Sequence, residues 1–579
     1  MNFNDVCLYF NKLENTNSRL EMAQILSKLF LEINSDDLQD LVYFCKGEIG
    51  PSYKGTELNI GLSTILSLVS RYLGQNLSTI KKQFNKLGDV GLVIYNTDIK
   101  KKQSTLFKKE LSFRDVYSTL EKISTIEGKG TIEKKLKLFE SILFNLDKLS
   151  AKYFVRFPIS FRLGFSDSTI IDALSFLEPS KDQKEVRKIL SDKYDLISDL
   201  GLIAKIFKEE GVDKVNQLNI KPFIPFKSAL CERAKSFSEI VKRVGKDNKK
   251  FIVDSKIDGF RQQIHKFKNT VKIFSRNEED ITSMFPDVVF EIKKINYDFI
   301  IDCEAIAYDL ENKKYHNFQI TMQRKRKYNI VEKSKKLPLH LKVFDILYFD
   351  GKYLTDLGNL ERRKILEKYF DINEIIKPTE MIVTNSLKEL EDFFNSRIEL
   401  GFEGIIVKDI DSGYKAGSRG FNWIKFKKSY LSNSLDTIDA VIVGAFYGQG
   451  RRSNGIGALL MGVFDKDTNN YHTIAKLGTG LTDEVLLELK SILNSLRLEV
   501  KPNYLITNID ADIYVFPKIV IEINFDEITR STIHTVCYNK DLNQGLALRF
   551  PRFVKIRVDK TAEQTTTQRE IQRLYELQG

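Results

Sequence analysis

The stretch Phe251-Ile-Val-Asp-Ser-Lys-Ile-Asp-Gly-Phe-Arg261 carries a lysine out of an apolar run into a polar turn that closes on an arginine. Phe251, Ile252 and Val253 predict a buried strand, so Lys256 leaves its end partly desolvated, with its pKa expected to fall. A neutral amine attacks phosphorus and an ammonium does not, which makes Lys256 a candidate covalent nucleophile. Asp258 can orient that amine or hold a metal, Gly259 lets the backbone turn tightly, and Arg261 offers a planar fork suited to phosphate. Taken alone, the stretch reads equally well as a surface turn after a strand.

Five further stretches decide between the two. Ser275-Arg276-Asn277 ends a strand with a cation and hydrogen-bonding neighbours. In Phe299-Ile-Ile-Asp-Cys-Glu304 the two-residue period puts Asp302 and Glu304 on one face, as donors for a divalent metal or for ribose hydroxyls. Val343-Phe-Asp345 sets an aromatic ring near a strand end, able to stack on a purine. Glu403-Gly-Ile-Ile-Val-Lys408 flanks an apolar strand with a carboxylate and a lysine. Trp423-Ile-Lys-Phe-Lys-Lys428 alternates, so that Lys425 and Lys427 face one side while Ile424 and Phe426 pack on the other. Each has a structural alternative: Phe344 as core, Glu304 and Glu403 as rim carboxylates, the lysines as a solvated face. Their joint order argues for a nucleotide site.

The chain has 579 residues, too many for one core, and roughly three domains are expected. An excess of 90 Lys and Arg over 78 Asp and Glu points to a polyanionic partner. Cys7, Cys45, Cys231, Cys303 and Cys537 form no C-x-x-C pair, which argues against a zinc ribbon or a disulfide framework and for a reducing intracellular compartment. No uninterrupted apolar run is long enough for a membrane helix, and the N-terminus does not read as a signal peptide.

Residues 1–220 read as a helical domain, with Leu20, Ile25, Leu26 and Leu29 at helical spacing. It contains an imperfect duplication: Asn59-Ile-Gly-Leu-Ser63 and Asp89-Val-Gly-Leu92 are echoed by Arg162-Leu-Gly-Phe-Ser166 and Asp199-Leu-Gly-Leu202. In each half a glycine, Gly61 or Gly164, precedes a serine, Ser63 or Ser166, expected to cap a helix whose N-terminus can grip a phosphate. The alternative is a pair of plain interhelical turns. Between the halves, basic residues precede Gln103, Leu106 and Phe107, which read either as a bare connection or as a pattern similar to a shortened clamp-binding peptide. Prolines in Ile220-Lys-Pro-Phe-Ile-Pro225 mark a linker into a domain at 221–428 that alternates strands (251–253, 271–274, 299–301, 341–344, 405–407) with helices at 359–370 and 387–400. A polar hinge follows Lys428. Residues 429–579 alternate as strands at 440–446, 458–464, 471–475, 519–523 and 553–558, with one amphipathic helix carrying Val485, Leu489, Ile492, Leu493 and Leu496, an arrangement that suits a small barrel of the oligonucleotide-binding kind.

The ordered series Lys256-Ile-Asp-Gly-Phe-Arg261, Ser275-Arg276-Asn277, Asp302-Cys-Glu304, Phe344-Asp345, Glu403-Gly404 with Lys408, and Lys425 with Lys427 resembles the motifs of covalent nucleotidyltransferases. Leu548-Arg-Phe-Pro-Arg-Phe-Val-Lys-Ile-Arg-Val-Asp-Lys560 looks like the closing motif of ATP-dependent DNA ligases, and the layout is most similar to the archaeal replicative type, related to the eukaryotic nuclear enzymes. The resemblance covers essentially the whole chain. It implies an all-α N-terminal DNA-binding domain, an α/β (α+β) nucleotidyltransferase domain and a C-terminal β-barrel OB-fold.

It further implies that Lys256 attacks ATP and carries AMP, that Phe344 stacks on adenine, and that Arg276 and Glu304 hold ribose. Mg²⁺, with Mn²⁺ as an alternative, would sit at Asp258, Glu304 and Glu403. Lys425 and Lys427 would neutralise phosphates, Arg261 would meet ribose or the nick 5′-phosphate, and Arg419, Arg557 and Lys560 would contact ATP, the last two when the final motif closes over it. Gly61, Ser63, Gly164, Ser166, Arg451, Arg452 and Arg552 are the implied DNA contacts. The partners implied are nicked double-stranded DNA and, through Gln103, Leu106 and Phe107, a sliding clamp, for a monomer that is cytoplasmic in an archaeon and nuclear in a eukaryote.

Three positions depart from the pattern. Asp254 stands where relatives commonly place a glutamate that recognises the adenine amino group, and is one methylene shorter. Cys303 replaces a more usual glycine, and 222–230 is a looser version of the usual entry segment. A capping guanylyltransferase or RNA ligase shares the lysine chemistry, and a non-catalytic DNA-binding scaffold shares the fold. The helical first domain weighs against capping, and intact Lys256, Glu403 and Lys425 weigh against a scaffold.

Overall fold

The computed structural model describes residues 1–98, 110–128, 130–161, 163–316, 318–326, 329–370, 373–417, 419–428, 437–448 and 455–577. They form two compact units, Met1–Lys427 and Lys428–Gly579.

The first unit opens with helices from Phe3–Glu14 to Leu200–Asn216. Helix Phe113–Ser124 shows how these form. A capping box of Ser112 and Asp115 satisfies the first N–H groups, and Phe113, Val116, Tyr117, Leu120 and Ile123 fall on one buried stripe. Phe44 centres the core, its ring 4.5 Å from Phe157 and 4.9 Å from Phe161.

The duplicated Asp-x-Gly-Leu has a common local structure. Asp89 and Asp199 are helix N-caps, each accepting at 2.9 Å from the N–H of the leucine three residues on. A Cβ at Gly91 would press on Lys152 O and the Arg156 side chain, and one at Gly201 on the Tyr43 ring, so each glycine lets a helix cross another closely. The expected serine caps need correction in the first half. There Gly61 itself is the N-cap of Leu62–Leu73 and Ser63 lies inside the first turn. Ser166 is the N-cap of Asp167–Ser175, but its hydroxyl meets Ser168 Oγ at 2.8 Å and caps no backbone N–H.

The rest of this unit is built on two sheets. Strands β1 (Leu230–Arg233), β2 (Phe251–Lys256), β10 (Met381–Thr384), β11 (Gly404–Asp409) and β12 (Arg419–Lys427) form one, in the order β1-β12-β11-β2-β10. The other has the order β4-β3-β5-β7-β8, from β3 (Phe260–Phe267), β4 (Thr270–Ser275), β5 (Phe299–Asp309), β7 (Leu339–Phe349) and β8 (Lys352–Tyr353), with β6 (Lys314–Tyr315) on β5 and β9 (Ile376–Pro378) on β7. Helices Asn359–Tyr369 and Leu387–Glu399 lie where periodicity predicts them. Strand β3 is not foreseen by the apolar pattern, because Phe-Arg-Gln-Gln-Ile-His-Lys-Phe reads as polar. In the fold it is a central strand that buries Gln262, Gln263, His265 and Lys266. Strands β5 and β7 outrun their apolar cores for the same reason, continuing through charged residues that the sheet buries.

The helical part packs on the sheets through Tyr53, edge-on to Phe274 at 6.4 Å, and through Lys227, whose Nζ lies 3.1 Å from Asp195 Oδ1 and 3.6 Å from the centre of the Tyr194 ring.

In the second unit, β13 (Thr437–Tyr447), β14 (Ile456–Asp465), β15 (Asn470–Leu477), β16 (Arg497–Leu498), β17 (Leu505–Ile506), β18 (Ile513–Val515), β19 (Val520–Asn524) and β23 (Arg552–Ile556) make one sheet around an apolar core that includes helix Asp483–Ser495. A small sheet of β20 (Glu527–Ser531), β21 (Val536–Asn539) and β22 (Gln544–Arg549), and a last helix Gln568–Glu576, add to the expected set. Among the described residues no helix is long and apolar enough to cross a membrane.

Candidate active site

Strand β2 ends on Lys256 beside β11, whose own neighbour is β12. The antiparallel registers set Lys256 opposite Gly404 and Gly404 opposite Lys427. Glu403 precedes Gly404 and donates its N–H to Lys256 O at 3.0 Å. Its Oε2 lies 2.5 Å from Lys256 Nζ, and Oε1 pairs with Lys427. Gly404 has φ +153°, and a Cβ there would collide with the Phe426 carbonyl, so only glycine lets the strand pass this close. Ile424 and Phe426 are fully buried while Lys425 and Lys427 are half-buried on the other face, the alternation read from the sequence.

The electrostatics correct one expectation. Burial works to lower the Lys256 pKa, but the charges of Glu403 and Glu304 and the Glu403 hydrogen bond outweigh it, and the amine is held above its ordinary value. Burial likewise opposes ionisation of Glu403, yet Lys256 and Lys427 keep it below the usual carboxylate range. Glu304 goes the other way. Burial pushes it up to about 7, only partly offset by Lys256 and Arg261 and reinforced by Asp302 and Asp258.

Arg261 stands opposite Glu304 in the β3–β5 register. Asp302, expected to be open to a metal or a ribose, is instead fully buried against this arginine. Arg261 Nε donates to Oδ1 at 2.8 Å, a second N–H pairs with Oδ2, and Tyr414 Oη donates to Oδ2 at 3.2 Å. The guanidinium also lies 5.1 Å from the centre of the Phe344 ring. Lys408 lies 5.5 Å from that ring and 4.4 Å from Trp423. Gly259 admits the close passage of β5: a Cβ there would collide with the Ala305 carbonyl.

Asp254, expected at the adenine amino group, is buried and engaged on both oxygens. Lys408 Nζ lies 2.6 Å from Oδ2, and Oδ1 accepts from Thr379 Oγ1 at 2.9 Å and from Arg363 Nη1 at 3.4 Å. Sequence reasoning missed Arg363, Thr379 and Tyr414. The available signal was an Arg362-Arg363 doublet on a helix beside the buried Leu366. Arg276 is exposed in the turn after β4. Half-buried Lys425 lies opposite Ile406, and Cys231 sits in the field of Lys256, Arg261, Lys425 and Lys408.

In the second unit Arg557 Nη1 lies 3.0 Å from both oxygens of Asp439, and Lys560 Nζ lies 2.6 Å from Oδ2 of the same residue. Arg557 also clasps Asp559 at 2.7 Å. Arg552 binds Asn524 Oδ1 at 3.1 Å and pairs with Asp526. Gln103, Leu106 and Phe107, and Arg451 and Arg452, lie outside the described residues, as does the side chain of Arg419.

A half-buried lysine gripped by a carboxylate at a strand end, with lysines two strands away on β12 and an aromatic ring flanked by cations, is the arrangement expected of a covalent nucleotidyltransferase. Family models match in chain order: the DNA ligase N terminus over residues 2–175, the ATP dependent DNA ligase domain over 228–427 and the ATP dependent DNA ligase C terminal region over 452–560. The chain belongs to the ATP-dependent DNA ligases, of the archaeal type. Similar relatives include a probable DNA ligase of Dictyoglomus turgidum, 39% identical over 99% of this chain and 97% of that protein. The DNA ligase of Saccharolobus solfataricus is 36% identical over 100% of this chain and 98% of its own. A solved structure, Pmar-Lig, aligns over 95% of this chain and 99% of that chain at 17% identity with a TM-score of 0.56, a likeness of fold.

Proposed function

We propose that Lys256 Nζ, as the neutral amine, attacks the α-phosphorus of ATP, forming a nitrogen–phosphorus bond as the phosphorus–oxygen bond to pyrophosphate breaks and the nitrogen loses a proton to water. AMP then passes to the 5′-phosphate of a nicked duplex, breaking that bond and forming a pyrophosphate linkage. The 3′-hydroxyl displaces AMP and closes the strand. The observation that carries this reading is the row Lys256, Glu403, Lys427, which sets the amine, a carboxylate paired to it and a phosphate-neutralising cation side by side. In-line positioning and charge neutralisation supply the catalysis, so no histidine base is required.

Phe344 stacks on adenine in this reading, Arg276 and Glu304 hold ribose, and Lys425 and Arg419 join Lys427 on the phosphates. Arg557 and Lys560 orient the leaving pyrophosphate. Mg²⁺ is assigned to Glu403, Glu304 and Asp258. Among the described residues no group of three or more His, Cys, Asp or Glu could hold a metal unaided. One or two of these three carboxylates would hold Mg²⁺, with water and substrate phosphates completing its shell. When bound it adds positive charge beside the phosphates. The second unit is read as an oligonucleotide-binding barrel, and the protein as an intracellular monomer around nicked DNA, contacted through Gly61, Ser63, Gly164, Ser166, Arg451, Arg452 and Arg552. A clamp contact through Gln103, Leu106 and Phe107 is tested by substituting all three and measuring clamp-stimulated joining.

Incubation with α-labelled ATP followed by nicked DNA tests the core of the proposal. Label is expected first on the protein and then on the strand, with none on a Lys256→Ala variant that remains folded. Label retained from GTP alone would overturn the assignment.

A further inference from the structure

Three consecutive residues of β7, Val343, Phe344 and Asp345, are linked to the same carboxylate, Asp254 on β2, through Thr379, through Lys408 and through the neighbouring pair Arg362 and Arg363. Thr379 N–H donates to Val343 O at 2.9 Å while its hydroxyl donates to Asp254 Oδ1 at 2.9 Å. Lys408 Nζ donates to Phe344 O at 3.0 Å and lies 2.6 Å from Asp254 Oδ2. The third tie is the arginine doublet of helix Asn359–Tyr369. Arg362 holds Asp345 with Nε to Oδ1 at 2.7 Å and Nη2 to Oδ2 at 3.0 Å, and Arg363 Nη1 reaches Asp254 Oδ1 at 3.4 Å and Thr379 Oγ1 at 3.0 Å. All of these side chains are buried, with Asp254 and Arg362 exposing 3% and 1% of their side-chain surface.

Strands β2 and β7 belong to different sheets. Backbone hydrogen bonds link the two strands through the segment from β9 to β10, where Thr379 N–H donates to Val343 O and Glu380 O accepts from Ser255 N–H at 3.1 Å; the other ties are made by side chains. Asp254 stands two residues before Lys256, and the backbone of Phe344 is itself one of the tied points. Charge-assisted hydrogen bonds in a water-excluded network are short and directional, and each member satisfies another that would otherwise be buried unpaired.

We infer that Asp254, Thr379, Lys408 and the Arg362–Arg363 pair form a buckle between the two sheets that sets the distance from the Phe344 ring to the Lys256 amine, making Asp254 a positioning residue and not the group that reads the base. The inference rests on the proposed roles of Lys256 and Phe344. The shorter aspartate is then no defect in base recognition. Its carboxylate sits within reach of lysine, arginine and threonine together, and a buried network tolerates little misfit.

The test measures self-adenylylation over a range of ATP concentrations, beside sealing of a pre-adenylylated nick. Thr379→Val removes one hydroxyl and keeps the volume nearly unchanged. It is expected to raise the ATP KM roughly five- to tenfold, the scale of one lost buried hydrogen bond, with kcat little changed. Arg363→Gln raises KM further if it folds, and Arg363→Lys recovers part of the loss. Phe344→Ala is the control for the underlying reading. If Phe344→Ala raises KM while Thr379→Val and Arg363→Lys leave it at the wild-type value, the buckle is overturned and the stacking role stands. If Phe344→Ala also leaves KM unmoved, the reading of the site itself fails. A fall in kcat in step with a lowered melting temperature, at constant KM, would likewise reduce these residues to structural support.

Discussion

Glu403 Oε2 lies 2.5 Å from Lys256 Nζ, so the amine proposed to attack phosphorus rests as one half of an ion pair whose other carboxylate oxygen is held by Lys427. An ammonium in this grip is not a nucleophile, and chemistry must begin by loosening it.

The pair sets a pH dependence. Glu403 and Glu304 outweigh burial and hold Lys256 above its ordinary value, so the neutral amine becomes populated only as pH rises. Single-turnover adenylylation is therefore expected to increase with pH through the alkaline range. Glu403→Gln removes the main raising charge. Its rate ceiling falls, but its rising limb moves to lower pH; a limb that stays in place would refute this account of the amine.

Glu304 carries a stability signature of the opposite kind to a paired carboxylate. Burial raises it from 4.5 to about 7, so the folded state prefers the proton. The stability this gives is complete below pH 4.5 and is lost as pH climbs through 7. Glu304→Gln has no charge to bury and is expected to melt a few degrees higher than wild type at pH 8, with the gap closing toward pH 5. Calorimetry of the ligand-free protein across that range decides it.

Arg557 and Lys560 share Asp439 inside the second unit, 2.6 Å separating Lys560 Nζ from Asp439 Oδ2. If both serve the departure of pyrophosphate, Arg557→Ala loses roughly 10²–10³-fold in self-adenylylation. Sealing of a nick that already carries AMP, which releases no pyrophosphate, should keep most of its rate. Equal loss in both assays would remove them from the first step.

Gly404→Ala tests the strand passage directly. The added methyl would meet the Phe426 carbonyl at a backbone φ of +153°. A destabilisation of about 1–3 kcal/mol is expected, together with loss of adenylylation as Glu403 is pushed from the row. Wild-type labelling by this variant would show that the strands can part without cost.

Much of the site was legible in the chain. The apolar run ahead of Lys256, the alternation of Lys425 and Lys427 with Ile424 and Phe426, and the Asp-Gly and Glu-Gly steps each carry a local signal, because strand periodicity and glycine freedom act over a few residues. Strand β3 was not legible, since Gln263 and His265 are polar and are buried under the 223–226 segment, accepting from the N–H groups of Phe226 and Phe223. The cap at Gly61 was misread as Ser63 because capping depends on where the preceding chain enters the helix.

By itself, then, the sequence determined the order of the motifs, singled out Lys256 as the candidate nucleophile among ninety basic residues and set the helical, mixed and strand-rich succession of the chain. Tertiary structure alone decided who holds whom. It gave Asp302 to Arg261 and Asp254 to Lys408, Thr379 and Arg363, and it turned the pKa of Lys256 upward where burial alone predicted a fall. The reason is physical: periodicity is set by neighbours along the chain, whereas the partners of a buried charge are set by strand register and sheet packing between residues far apart in sequence.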